Sequence, residues 1–169
     1  MTTIHDLCQW LNDQPWSTAL AESDNAFPVI ETAHVLAVSL IAGTIITVDL
    51  RVAGLLLRSE AVTRVAGALL PWTWAGFAVM ALTGLPLFAS EAASLYGNKA
   101  FRLKLVLLAL AGLNALLFHN TVYRGVAQWD RDAVAPLKAR AFAFASLLLW
   151  AGVIVSGRMI AAYHNGQSQ

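Results

Sequence analysis

The residues able to do chemistry are few, and they stand in apolar surroundings. In "ETAHVLAVSLIAGTIITVDLR", residues 31–51, Glu31, His34 and Asp49 interrupt an otherwise hydrophobic run. Glu31 and His34 spell E-x-x-H, the spacing that puts a carboxylate and an imidazole on one metal ion in di-iron helix bundles. A neutral imidazole is equally a common axial ligand of haem iron. The same pair also suits hydrogen bonding to a buried cation such as Lys104 or Arg158. A second set follows in Lys104, Asn114, His119 and Arg124, and Arg158 and His164 stand near the end of the chain. The single cysteine, Cys8, excludes cysteine-rich zinc or iron–sulfur sites and an internal disulfide.

Helical rotation of about 100° per residue decides which of these groups share a face. Glu31, His34, Val38, Ala42, Ile45 and Asp49 fall on one stripe, and Lys104, Leu108, Ala111, Ala115 and His119 on another. Both stripes are polar at their ends and small in the middle, so both are expected to face the interior of a bundle. A rise of about 1.5 Å per residue places His119 roughly 20 Å from Lys104 along its helix. His34 and His119 of one chain therefore cannot share an iron. Two clusters are expected. The outer one holds Glu31, His34, Glu91, Tyr96, Lys104, Arg158 and His164; the inner one holds Asp49, Arg51, Asn114, His119 and Arg124. Asp49 is expected to pair with Arg51 or Arg124. His119 either marks the inner interface or serves a second haem. Trp72 and Trp74, beside Pro71, read as an interfacial belt, and Met80 and Met159 read as packing.

The elements that must position these groups are membrane spans. The chain of 169 residues is 58% hydrophobic and only 12% charged, whereas a soluble domain carries about 25% charged residues. A net charge of +1 and the lack of a basic block exclude nucleic acid as a partner. Four segments free of acidic and basic side chains are of crossing length: Thr32–Val48, Val65–Ser90, Leu105–Tyr123 and Ala141–Gly157. With flanking residues they predict helices near 28–57, 65–90, 101–123 and 139–163, in one domain over 27–169: an all-α, up-down bundle of four transmembrane helices. The first residues lack Lys and Arg, so the basic region of a signal peptide is missing. Residues 1–26 read instead as a retained amphipathic segment, with Ile4, Leu7 and Leu11 on one face and Trp10 and Trp16 suited to headgroups. Loop charges orient the bundle. Arg51, Arg58, Arg64, Arg124, Arg131, Lys138 and Arg140 lie on one side, against Lys99, Arg102, Lys104 and Arg158 on the other. The positive-inside rule then predicts a multi-pass protein of the bacterial inner membrane with both termini outside the cytoplasm.

Two stretches carry a resemblance: residues 31–51 and "TGLPLFASEAASLYGNKAFRLKLVLLALAGLNALLFHN". Through them most of residues 27–163 resembles a bacterial family of small four-span membrane proteins. More distantly, the chain is similar to the copper-resistance D (CopD) domain and to HemJ-type protoporphyrinogen oxidases. The shared features are His34, Gly43 and Arg51, the Thr83–Gly84 pair, and the "Y-G-x-x-x-F-x-x-K" entry formed by Tyr96, Gly97, Phe101 and Lys104. The resemblance implies a bundle that holds b-type haem or handles copper, with His34 and Lys104 as the haem-site positions. Haem-linked redox chemistry or electron transfer is the first functional expectation, with His34 axial, and Lys104, His164 or a histidine of a second copy opposite. Arg158 or Arg102 would pair with propionates, and a quinone or redox protein would be the partner. The alternatives are transport of copper, a proton or a small solute through Glu31, His34 and Asp49, and a non-catalytic accessory subunit. No residue pattern assigns an enzymatic reaction.

Overall fold

A computed structural model of the chain describes the backbone of residues 4–167 and the side chains of residues 4–160. Every regular element among them is helical: α1 (Ile4–Asn12), α2 (Pro15–Ala21), α3 (Ala26–Val52), α4 (Val62–Ser90), α5 (Ala92–Gly97), α6 (Lys99–Thr121), a 3-10 turn (Tyr123–Gln128) and α7 (Leu137–Gln167). The four long helices α3, α4, α6 and α7 are each long and apolar enough to cross a membrane. At about 1.5 Å per residue, even α6 with its 23 residues exceeds a hydrocarbon layer of about 30 Å. The chain is a multi-pass membrane protein built as an up-down bundle. We call the end that carries α1, α2 and α5 the upper end.

The first span stops earlier than the apolar run suggests. Gly54 takes a left-handed φ of +75°, and the Leu55 N–H returns to the Leu50 carbonyl at 2.9 Å. That pair of features is the Schellman stop of a helix C-terminus, which only glycine adopts without strain. The short α5 between α4 and α6 was not expected from the sequence. Trp72 and Trp74 are exposed and lie about 15 Å along α4 from Val62.

Packing is uneven around the bundle. α3 packs along α4, α6 along α7, and α3 also meets α7, whereas α4 and α6 make no extended contact. The α3–α4 seam is close because its residues are small. Ala37, Ile41 and Thr44 face Thr73 and Gly76, and a Cβ added to Gly76 would lie 2.7 Å from Ile41 Cγ1. Within the seam the Thr73 hydroxyl donates to Thr44 Oγ1 at 2.8 Å. Close approach of small residues joined by hydroxyls is how helices associate where lipid removes the hydrophobic drive. The centre is filled by Ile41, Ala42, Trp150 and Val153, with Phe77, Met80, Leu107 and Leu108 around them.

The lower end is tied by one buried cation. Arg51, with none of its surface exposed, donates from Nε to the Glu60 carbonyl at 2.6 Å. Its Nη2 reaches the carbonyls of Asp130 and Asp132 at 3.3 and 3.0 Å. Asp130 in turn caps the start of α4. Its carboxylate accepts from the Thr63 N–H and the Thr63 hydroxyl, both at 2.8 Å. Those bonds hold its carboxyl below the usual carboxylate range; the Thr63 backbone N–H acts most, and the charges of Arg131 and Arg51 add to it. The two lower loops are thus one unit.

Candidate functional site

His34 lies in the upper half of α3, about 12 Å below Ala26. Its ring is half-buried against α4, where Gly84 makes room for it. A Cβ on Gly84 would sit 2.9 Å from His34 Cε1 and 3.3 Å from Nδ1. His34 Nδ1 is 3.0 Å from Thr83 Oγ1. Thr83 has one hydroxyl hydrogen, and it goes back to the Val79 carbonyl at 2.7 Å. The same hydroxyl also reaches the Met80 carbonyl at 3.3 Å, and His34 has a hydrogen bond with the Met80 backbone as well. With the hydroxyl given to a carbonyl, Thr83 Oγ1 accepts from Nδ1, and in that tautomer the lone pair is on Nε2. Fixing the tautomer through the far nitrogen is how metal-ligating histidines are usually held.

Lys104, about 7 Å below the start of α6, is half-buried at a similar depth, close enough for its charge to act on His34. Among the described residues it has neither a hydrogen-bond nor an ion-pair partner. His34 packs against α4, whereas Lys104 belongs to α6, and these two helices make no extended contact. Farther down, Phe77, Met80 and Leu108 pack against the central cluster. Above it the rings of Phe88 on α4 and Phe101 on α6 stack at 5.6 Å with planes 10° apart. The upper end thus holds one imidazole, one ammonium and an aromatic pair above the apolar centre.

The remaining candidates are scattered. Glu31 is exposed, so only part of its stripe faces inward, and among the described residues no group of three His, Cys, Asp or Glu side chains converges. Arg158 and Met159 are exposed, Met80 packs against the central cluster, and the side chain of His164 lies outside the described residues. Arg102 is engaged by the Tyr96 carbonyl, which accepts from its Nε and Nη2 at 3.0 and 2.8 Å. The inner cluster does not form as expected. Asp49 pairs with neither arginine. Arg51 is committed to backbone carbonyls and Arg124 donates to Asn120 Oδ1 at 3.0 Å. Asp49 lies near Ser146 of α7, and its Oδ2 is buried without a partner. Asn114 donates to the Phe142 carbonyl at 3.2 Å and so ties α6 to α7. His119 is exposed and stacks on Tyr123, ring centres 5.5 Å apart.

Residue chemistry alone passed over Phe88 and Phe101, whose roles arise from pairing between helices. Thr83 and Gly84 had a visible signal: a hydroxyl and a missing side chain, side by side in an apolar helix, where a histidine must be received.

A family model described as a family of unknown function (DUF6644) matches residues 27–163. The chain belongs to this family. The DUF6644 match takes in His34, Thr83, Gly84 and Lys104, and begins after α1 and α2. No curated protein and no solved structure matches the chain. The comparisons thus support the four-span family and give no support to a likeness to CopD or HemJ-type proteins.

Proposed function

We propose that the upper end of the bundle, around His34 and Lys104, holds b-type haem and that this membrane protein acts in redox chemistry or electron transfer. The carrying observation is the half-buried histidine held by Thr83 in the room left by Gly84, with a lysine that has no hydrogen-bond or ion-pair partner among the described residues at a similar depth. The donor set supports haem over a bare ion. One imidazole and one amine are too few to hold free copper, but they suit an iron already bound by four ring nitrogens. When bound, haem supplies one-electron exchange between ferrous and ferric iron.

The chain's own part is positioning. Thr83 fixes the tautomer of His34, and Gly84 leaves its ring room. Lys104 is the partner for an acidic side chain of the cofactor or the second ligand, and Phe77, Met80 and Leu108 keep water out. The basic loops support a bacterial inner membrane with the lower end in the cytoplasm. A quinone or a redox protein is the electron partner this reading calls for. The test is the spectrum of protein purified from haem-replete cells. A Soret band and a pyridine haemochrome are expected, both lost in His34→Ala. A colourless native protein that takes up no added hemin ends the reading.

The orphaned Asp49 Oδ2 favours a second reading, passage of a proton or cation through the lower half. Proteoliposome uptake that depends on Asp49 supports it; uptake unchanged in Asp49→Asn removes it.

A further inference from the structure

The lower end carries an apolar rim that the protein itself does not cover. Past the end of α3, Leu55, Leu56 and Leu57 are all exposed, and so are Val134 and Leu137 where the chain enters α7. The two stretches touch. A Cβ added to Gly54 would sit 3.2 Å from the Ala133 carbonyl oxygen and 3.7 Å from Val134 Cγ2. Among the described residues Leu57 is the one non-glycine with a left-handed φ, +50°. That conformation is costly for leucine, and no burial inside the protein offsets it. Leu137 also begins an outward stripe of α7 that continues through Phe144 and Leu148, both exposed, so the rim runs into the lipid-facing side of a span. Cations stand around it. Arg58 Nε donates to the Gly54 carbonyl, which keeps the guanidinium at the rim. Lys138 is exposed beside Leu137, and Arg140 follows one turn on. Among the described residues the one ion pair joins Arg64 to Glu60, so none of these three cations is paired with a carboxylate.

We propose that this rim is a docking surface for an anionic phospholipid of the lower leaflet, with its phosphate on Arg58 and Lys138 and its acyl chains on the 55–57 turn and the α7 stripe. Depth favours this occupant. α3 has 27 residues and is about 10 Å longer than a hydrocarbon layer of about 30 Å, which puts the turn after it at headgroup level. Leucines at that level enter the acyl boundary while Lys and Arg stay with the phosphates. Charge favours it too. A second copy of the chain would set the same cations against these, whereas an anionic headgroup neutralises them. Each cation near an anionic surface contributes about fivefold in affinity. Neither His34 nor Lys104 lies at this end, so the lipid surface is independent of haem.

The experiment presents the full chain in detergent micelles with equal amounts of phosphatidylglycerol and phosphatidylcholine of the same acyl chains. Retained lipid is counted by native mass spectrometry. The first phosphatidylglycerol adduct should exceed its phosphatidylcholine counterpart about fivefold or more. Arg58→Gln with Lys138→Gln should remove that preference, and Arg58→Lys with Lys138→Arg should keep it. A second readout gives the place. In a Cys8→Ser background reconstituted in vesicles of the two lipids, a nitroxide on Leu56→Cys should relax with oxygen and not with a water-soluble nickel chelate. Equal retention of both lipids by the native chain would overturn the proposal, as would a preference that the double glutamine variant leaves intact. So would a Leu56 nitroxide that meets the nickel chelate, which puts the rim in water, or one broadened by the label of a second copy, which makes the rim a contact between chains. Should the double variant fail to fold, the native-chain adducts and the nitroxide decide. A colourless protein that retains phosphatidylglycerol defeats the haem reading only; a red one without that preference defeats this inference only.

Discussion

His34 and Thr83 are joined across the α3–α4 seam by a hydrogen bond of 3.0 Å, and the threonine hydroxyl also reaches the Val79 and Met80 carbonyls at 2.7 and 3.3 Å, which leaves its oxygen to accept from the ring. Thr83→Val keeps the shape of the side chain and removes the acceptor. The ring is then free to change tautomer and to turn. Partners that hold a ligating histidine from behind are worth about 10–100-fold in metal affinity. Haem affinity of Thr83→Val should fall in that range, with helix content unchanged by circular dichroism, and Thr83→Ser should restore it. Unaltered affinity in the valine variant would show that the ring needs no such support.

Gly84 is judged by space and not by backbone conformation. A methyl group there meets His34 Cε1 at 2.9 Å, closer than real Cβ contacts come. Gly84→Ala should push the imidazole off Thr83 and shift or abolish the Soret band. The α3–α4 seam should persist, because Thr73, Thr44 and Gly76 hold it farther down. Thermal unfolding followed beside the absorption spectrum separates the two effects. Loss of colour with Tm nearly unchanged is the expected result.

The architecture was legible because hydropathy along the chain follows bilayer thickness, and four apolar runs interrupted by charge leave little choice of topology. The polar stripes were legible only in part. Rotation by 100° per residue places Glu31 and His34 on one face, but it does not say how wide the buried sector is, and Glu31 falls outside it. Asp49 illustrates a second limit. Its nearness to Arg51 in sequence suggests an ion pair, yet Arg51 finds three carbonyls from two loops that converge only in three dimensions. The pairing of Phe88 with Phe101 has no signature along the chain either, since it depends on which helices meet at the upper end.

Arg51 should be the residue whose loss costs most. Its guanidinium is fully buried and satisfies the carbonyls of Glu60, Asp130 and Asp132. The Asp130 carbonyl keeps the Val62 N–H at 3.0 Å, and a carbonyl left buried and unpaired costs about 1–3 kcal/mol. Arg51→Met should therefore destabilise by about 3–5 kcal/mol, measured as a fall in Tm in detergent. Arg51→Lys should recover little, because one ammonium cannot reach all three acceptors from a fixed stem. A modest loss in the methionine variant would mean that the loops close without it.

Asp130 links the same unit to pH. Its folded carboxyl titrates below the ordinary value of 3.8, chiefly through the Thr63 N–H, so folding is favoured by the ionised form. The sign follows from linkage. The stabilisation is fully present above the ordinary value and is lost as pH falls through the lower folded value. Asp130→Ala should cost about 1 kcal/mol at neutral pH, as the loss of a helix cap does. The variant should also approach the native protein in stability as the pH drops below 3.8. Amide hydrogen exchange at Val62 and Thr63, the first residues of α4, gives the local readout: faster exchange in Asp130→Ala at neutral pH, and convergence with the native rate, after correction for intrinsic exchange, in acid. Equal protection of both proteins at neutral pH would show that the cap is held by Arg51 and the backbone alone.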